Sequence, residues 1–211
     1  MLTVRHLDKL LIFMEYCDGG TLESVCNEGA LRRLLVRRYT LFLLRAICYL
    51  HDIVKIVHRD IKPGNVFLTS GKDVLKLGDF GSSVRLQHSN TLTGELSTTD
   101  GTPMYMAPEV FTPEHQGRAS DIWSLGCVVL QMATGEMPWP AKMSAHQLMF
   151  RVGCGFTPAI PPSLSGSSCA DFLSHCLQTS VQSRYPASKL IEHEFAKVSY
   201  DSFEESPGST S

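Results

Sequence analysis

The chain carries His58-Arg59-Asp60, with Lys62 two residues and Asn65 five residues after the aspartate, and then Asp79-Phe80-Gly81. Two short β-rich runs lie between them, Val66-Phe67-Leu68-Thr69 and Val74-Leu75-Lys76-Leu77, on either side of Ser70-Gly71-Lys72-Asp73. This pattern reads as a hairpin. A hairpin brings Asp79 back towards Asp60 and Asn65, so the spacing constrains the fold more tightly than any other stretch. Taken singly, a His-Arg-Asp is usually a solvated turn and an Asp-Phe-Gly a loop end. The joint pattern carries the information. Two carboxylates and an amide converging on one turn offer hard oxygen ligands of the kind magnesium takes.

Composition sets the frame for that constellation. At 211 residues, 43% of them hydrophobic and 19% charged, one globular domain with a sizeable core is expected. A net charge of −2 gives no electrostatic footprint for nucleic acid or an anionic membrane. The seven cysteines are Cys17, Cys26, Cys48, Cys127, Cys154, Cys169 and Cys176. Their number is odd and no C-x-x-C pair occurs, which reads as reduced, packed thiols in a cytoplasmic protein rather than disulfides or a zinc site. The apolar runs are too short to span a membrane, and Arg45 interrupts the longest of them.

Along the chain, Leu10 to Tyr16 reads as a buried strand, closed by a turn at Cys17-Asp18-Gly19-Gly20. Residues 30 to about 51 form the clearest helix, with Leu35, Tyr39, Phe42, Leu43, Ala46, Ile47 and Leu50 on one face. Arg32, Arg33, Arg37 and Arg38 fall largely off that face and read as a solvated surface rather than a docking site. Gly81 to Glu109 is polar and aperiodic, and a loop of that length is usually functional or disordered. Asp121 opens a helix that is apolar almost all round, hence buried, and Gly135 ends it. Three short helices are expected over 144–152, 167–177 and 187–195. Residues 199–211 are polar, Ser-rich and acidic, and read as a disordered tail.

The combined motifs resemble those of protein kinases. Met14-Glu15-Tyr16-x-x-Gly19-Gly20 resembles the kinase hinge, and Gly101-Thr102-Pro103-Met104-Tyr105-Met106-Ala107-Pro108-Glu109 resembles the end of an activation segment. Lys62 and the Gly-Thr-Pro-x-Tyr-x-Ala-Pro-Glu run are the serine/threonine-kinase choices. Within that type the chain resembles MAP kinase kinase kinases of the MEK-kinase group over roughly residues 10 to 198. Ile12 to Asp18, Asn65 to Ser70, Leu77 to Val84, Asp121 to Val129 and Asp171 to Leu177 carry that likeness.

The resemblance implies ATP and magnesium as cofactors. It implies Asp60 as base, Lys62 over the transferred phosphoryl group, Asp79 and Asn65 as metal ligands, and Thr102 bridging Asp60 and Lys62. It places Met14 as gatekeeper, Glu15 and Cys17 as backbone contacts to adenine, and Val66 and Phe67 as the adenine floor. Arg59 would pair with a phosphate on Thr98 or Thr99. Phe80 is a structural part of its motif. Asp121 would anchor the catalytic loop, and Arg184 would pair with Glu109, although Ser180-Val181-Gln182-Ser183 replaces the Asp-Pro usual before that arginine. The implied partners are MAP kinase kinases as substrates.

No G-x-G-x-x-G or V-A-I-K precedes the hinge, and Lys9 sits in Leu7-Asp8-Lys9-Leu10, an unrelated context. The expected fold is therefore mainly α with a small β-hairpin: a kinase-like large lobe over residues 1–198, with the small lobe absent. Such a chain would be weakly active or inactive alone, its hinge face left for a small lobe or a partner to cover. The alternative is a non-catalytic, kinase-like interaction module that binds cascade kinases.

Overall fold

A computed structural model describes residues 2–6, 9–86, 103–111 and 117–197. Its centre is helix α3, Arg118–Thr134, in which every side chain from Ser120 to Met132 is buried. α2, Arg33–Cys48, and α5, Ser168–Cys176, pack against it. Gly135 ends α3 in the left-handed region at φ 72°, its N–H donating to Gln131 O at 2.7 Å. A β-carbon there would come within 2.5 Å of Ala30 N, so both conformation and space demand glycine. α4, Ala145–Gly153, begins with a Ser144/Gln147 capping box, and Ser167 caps α5 by accepting from Ala170 N–H at 3.2 Å. Leu22–Cys26 forms a short α1.

The buried stripe of α2 is Val36, Tyr39, Thr40, Leu43, Leu44 and Ile47, with Leu35, Phe42 and Ala46 at its edge. A π-helical turn, Tyr49–Val54, follows it. Three of the four arginines read as a solvated face are instead ties. Arg37 donates to the carbonyls of Phe195, Glu194 and Lys197. Arg38 donates to Asp73 O at 2.8 Å, and Arg33 to Ser168 Oγ at 3.3 Å.

Among the described residues, the strands form three two-stranded antiparallel pairs. β4, Val66–Leu68, and β5, Leu75–Leu77, make the expected hairpin, with Phe67 opposite Lys76. β3, Ile56–Val57, pairs with β6, Val84–Arg85. β1, Leu2–His6, was not anticipated; it pairs with β2, Lys9–Phe13. The strand expected to be buried over Leu10 to Tyr16 is therefore shorter and open. Leu11, Ile12 and Phe13 are 40%, 50% and 54% exposed, and Met14 and Tyr16 more so. A two-stranded ribbon has no second layer to cover its apolar residues.

The helix expected over 187–195 ends early, as α6, Ala187–Leu190. Two side chains compete with its ladder. Arg37 takes three carbonyls beyond it, and His193 Nδ1 accepts from Phe195 N–H at 3.1 Å. An Nδ1 that accepts leaves the proton on Nε2, which donates to Asp171 Oδ2 at 3.0 Å. Asp171, His175 and His193 thus gather ligand-type atoms within 4.8 Å, yet the Asp171–His193 hydrogen bond serves as a latch from α5 to the chain after α6. The tail at 199–211 lies outside the described residues.

Two predictions follow from the core. Gly126 of α3 faces Cys176, and an added β-carbon would sit 2.7 Å from Cys176 Cβ and 2.9 Å from Leu177 Cδ2. Alanine normally gains up to ~1 kcal/mol over glycine inside a helix, but overpacking between helices costs ~1–3 kcal/mol. Gly126→Ala should therefore lower the urea midpoint. Burial raises the Cys26 and Cys169 thiols to about 11 and pushes the fully buried Cys127 and Cys176 up as well. Unfolded thiols would ionise first as pH rises past their ordinary value, so the unfolded state loses protons that the fold keeps. Stability should fall between about pH 9 and 11 in urea titrations, the range between the ordinary and folded values of Cys26 and Cys169.

Candidate active site

The site is built on one carboxylate. Asp121, in the first turn of α3, is fully buried. Its Oδ2 accepts from His58 N–H at 2.8 Å and lies 2.8 Å from His51 Nε2; its Oδ1 accepts from Arg59 N–H at 2.8 Å. Two successive amides pointing at one side chain force an unusual backbone, and Arg59 sits at φ 72°. Such a left-handed residue costs on the order of 1–3 kcal/mol and persists only where its surroundings fix it.

The His58 ring links this loop to the next motif. Its Nδ1 accepts from Asp60 N–H at 3.3 Å, so its Nε2–H donates to Gly78 O at 3.0 Å. Its face lies 4.9 Å from the Phe80 ring. Gly78 N–H in turn donates to Asn65 O at 2.9 Å. The hairpin therefore delivers Asp79 one residue beyond a point bonded to both His58 and Asn65. Asp79 is exposed, at φ 58°, and accepts from Gly81 N–H at 3.2 Å.

Asp60 is held from two sides. Lys62 Nζ lies 2.8 Å from its Oδ2. Asn65 Nδ2 donates to the same oxygen and to the Asp60 carbonyl, both at 2.8 Å. With its amide hydrogens engaged there, Asn65 offers a cation its Oδ1. An amide oxygen and the Asp79 carboxylate make a hard, all-oxygen donor set that fits magnesium.

The hinge segment lies along the hairpin. Gly19 N–H donates to Leu68 O and Leu68 N–H to Gly20 O, each at 2.9 Å. A β-carbon on Gly19 would fall 2.1 Å from Thr69 O, so only glycine allows this approach. Glu15 binds Lys76 Nζ through both oxygens at 2.5 Å, which raises the lysine pKa. Both side chains are exposed, so the pair contributes little to stability. Met14 is 71% exposed and Cys17 partly buried. Val66 is fully buried and belongs to the core, not to an adenine floor. Strand alternation turns Phe67 to the other face, where it packs on Gly78.

The described end of the loop before α3 is fixed to that helix. Tyr105 OH donates to Gln131 Oε1 at 2.7 Å, and Ser124 Oγ donates to Tyr105 O at 2.7 Å. Glu109 accepts from Ser120 Oγ at 3.1 Å and takes Arg184 through two bonds, 2.5 and 3.0 Å. Arg184 also donates to Ala119 O and Gln178 O, so both members of this buried pair are satisfied. The missing Asp-Pro does not prevent the contact. Thr98, Thr99 and Thr102 lie outside the described residues. Sequence reasoning missed His51; its one signal was a histidine at the end of an apolar helical face.

Removing one partner of a buried ion pair typically costs about 3–5 kcal/mol, because the other is left uncompensated. Arg184→Met should destabilise the chain by that order in chemical denaturation. Adding Glu109→Met to it should recover part of the loss.

The model of the protein kinase domain matches residues 2–196. The chain is 50% identical over 200 residues to human mitogen-activated protein kinase kinase kinase 4, covering 93% of this chain and 12% of that protein. It is 40% identical over 195 residues to the Arabidopsis thaliana mitogen-activated protein kinase kinase kinase ANP1, covering 92% of this chain and 29% of that one. To the Saccharomyces cerevisiae MAP kinase kinase kinase SSK2 it is 36% identical over 220 residues, covering 88% and 14%. The chain thus spans about an eighth of the human relative's length. The match over nearly the whole chain and the two motifs meeting at Gly78 lead to one family: this chain belongs to the protein kinases, and by family to the serine/threonine kinases.

Proposed function

We propose that the chain supplies the catalytic and metal-binding groups of a serine/threonine kinase in a MAP kinase cascade, with MAP kinase kinases as substrates. The observation that carries this reading is Asn65, whose amide nitrogen donates to Asp60 while its backbone carbonyl takes the N–H of Gly78, the residue before Asp79. That the relatives are MAP kinase kinase kinases supports the cascade.

In this reading Asp60 accepts the proton of the substrate serine or threonine hydroxyl. Asn65 and Lys62 fix its carboxylate so that the accepting oxygen keeps one orientation. Lys62 also places positive charge where the transferred group gains negative charge. Asp79 and Asn65 hold magnesium, and Phe67 with the backbone of Glu15 and Cys17 takes the adenine. Magnesium-ATP, when bound, supplies the reactive phosphorus and neutralises the phosphate oxygens. Thr98 or Thr99, once phosphorylated, would pair with Arg59 and order the segment before Pro103.

A second reading has an observation of its own. The ribbon and hinge expose Leu11, Ile12, Phe13, Met14 and Tyr16 together. A face of that character favours coverage by another protein surface, so the 211 residues alone would bind cascade kinases without turning them over.

Calorimetry with magnesium-ATP separates the two. The kinase reading expects binding that Asp79→Ala abolishes. Transfer to a MAP kinase kinase by these residues alone should lie near background, and Asp60→Asn in a longer, active chain should lower it by roughly 10²–10⁴. Absence of nucleotide binding by a folded chain would leave the interaction module.

A further inference from the structure

A cavity of about 320 Å³ opens where the π turn Tyr49–Val54, the first turn of α3 and the chain entering α6 meet. None of Asp60, Lys62, Asn65 or Asp79 lines it. Ile122, Val181 and Pro186 give it apolar walls, and Arg118 gives it a charge. That guanidinium is incompletely matched. Its Nη1 lies 3.6 Å from Asp52 Oδ1, beyond hydrogen-bond distance, and its buried Nε has no hydrogen-bond partner. Buried donors in folded proteins are nearly always satisfied. The Nε itself is closed off from solvent, so a ligand in the cavity would meet this guanidinium through its Nη groups, which suit a carboxylate oxygen. The volume lies within the range of small-molecule sites. The nearby Asp52 carboxylate would repel a dianionic phosphate more than a monoanionic carboxylate.

Two lining residues reach the anchors of the proposed catalytic machinery. His51 holds Asp121, which fixes the His58 and Arg59 amides. Arg184 holds Glu109 at the end of the segment before α3. π turns themselves concentrate at functional sites. We propose that this cavity binds a small aryl or alkyl carboxylate, its anion on Arg118 and its apolar body against Ile122, Val181 and Pro186, and that occupancy stiffens the catalytic-loop anchor. The proposal does not depend on nucleotide binding or phosphoryl transfer.

The test titrates the isotopically labelled 211-residue chain with 4-phenylbutyrate and, as uncharged control, 4-phenylbutan-1-ol. The expected result is saturable amide shifts at Arg118, Ala119 and Val181 with the acid only, and slower hydrogen exchange of the His58 and Arg59 amides. Arg118→Gln should weaken binding roughly tenfold or more, the size of one charge-assisted hydrogen bond. Ser188→Trp, an exposed change at the rim, should weaken it by filling the mouth and serves if Arg118→Gln fails to fold. No saturable response, an equal response to the alcohol, or full affinity in both variants overturns the site. Binding with unchanged exchange at His58 and Arg59 overturns the coupling.

Discussion

One buried carboxylate holds this architecture to its chemistry. Asp121 is out of water entirely, and an unpaired charge there would be prohibitive. Three N–H groups reach it, two of them consecutive backbone amides and the third from His51. It also stands in the first turn of a long helix, where the dipole favours an anion. These terms together sustain the left-handed backbone at Arg59, and that bend sets the direction in which Asp60 leaves the loop. The geometry around Asp60 is thus imposed from the core outward.

α3 extends the same logic along its length. Its N-terminal turn binds the His58–Arg59 backbone through Asp121 and the approaching segment through Ser120, while Arg184 closes on Glu109 from the far side. Further on, Ser124 and Gln131 hold Tyr105. Gly126 admits α5 to contact distance, and Leu31 N–H caps the far end by donating to Met132 O at 2.9 Å. A helix buried almost all round can carry these polar ties because Asp121, Ser120, Ser124 and Gln131 each meet a partner group brought in by a neighbouring segment.

Legibility in the sequence followed the locality of the forces. The β4–β5 hairpin, the Gly135 stop and the short helices near 144–152 and 167–177 depend on residues a few positions apart, and they were readable. The joint spacing of Asp60, Lys62, Asn65 and Asp79 was readable for the same reason, since one hairpin joins them. The fate of Leu11, Ile12 and Phe13 was not. An apolar run specifies a strand, but whether it is covered depends on what packs over it. The arginines of α2 misled in the opposite sense: charge suggests solvent, whereas Arg37 satisfies three carbonyls of the chain after α6. Those carbonyls are some 160 residues away in sequence, and no local pattern announces them. Val66 was misassigned because a floor was read from two adjacent residues, while a strand turns adjacent residues to opposite faces.

The division between the two faces of the molecule has a common cause. Where the chain packs in layers, as around α3, polar groups can be fixed by several neighbours and a strained backbone survives. The ribbon of Leu2–His6 with Lys9–Phe13 is a single layer, and the chain that follows it is tied to the rest by the exposed Glu15–Lys76 pair and the Gly19–Leu68 backbone bond. An adenine contact built on that ribbon would have its position set by the hairpin beneath rather than by anything above it. The hydrogen bonds through Gly19 and Gly20 matter for this reason. They register the Met14–Gly20 segment to β4, the strand whose neighbour leads to Asp79, so the two stretches proposed to meet nucleotide and metal share one hairpin as their ruler. Displacing that hairpin would move the hinge, Phe67 and Asp79 together and, through Asn65 and Gly78, would pull on Asp60 and His58, which Asp121 ties to the core.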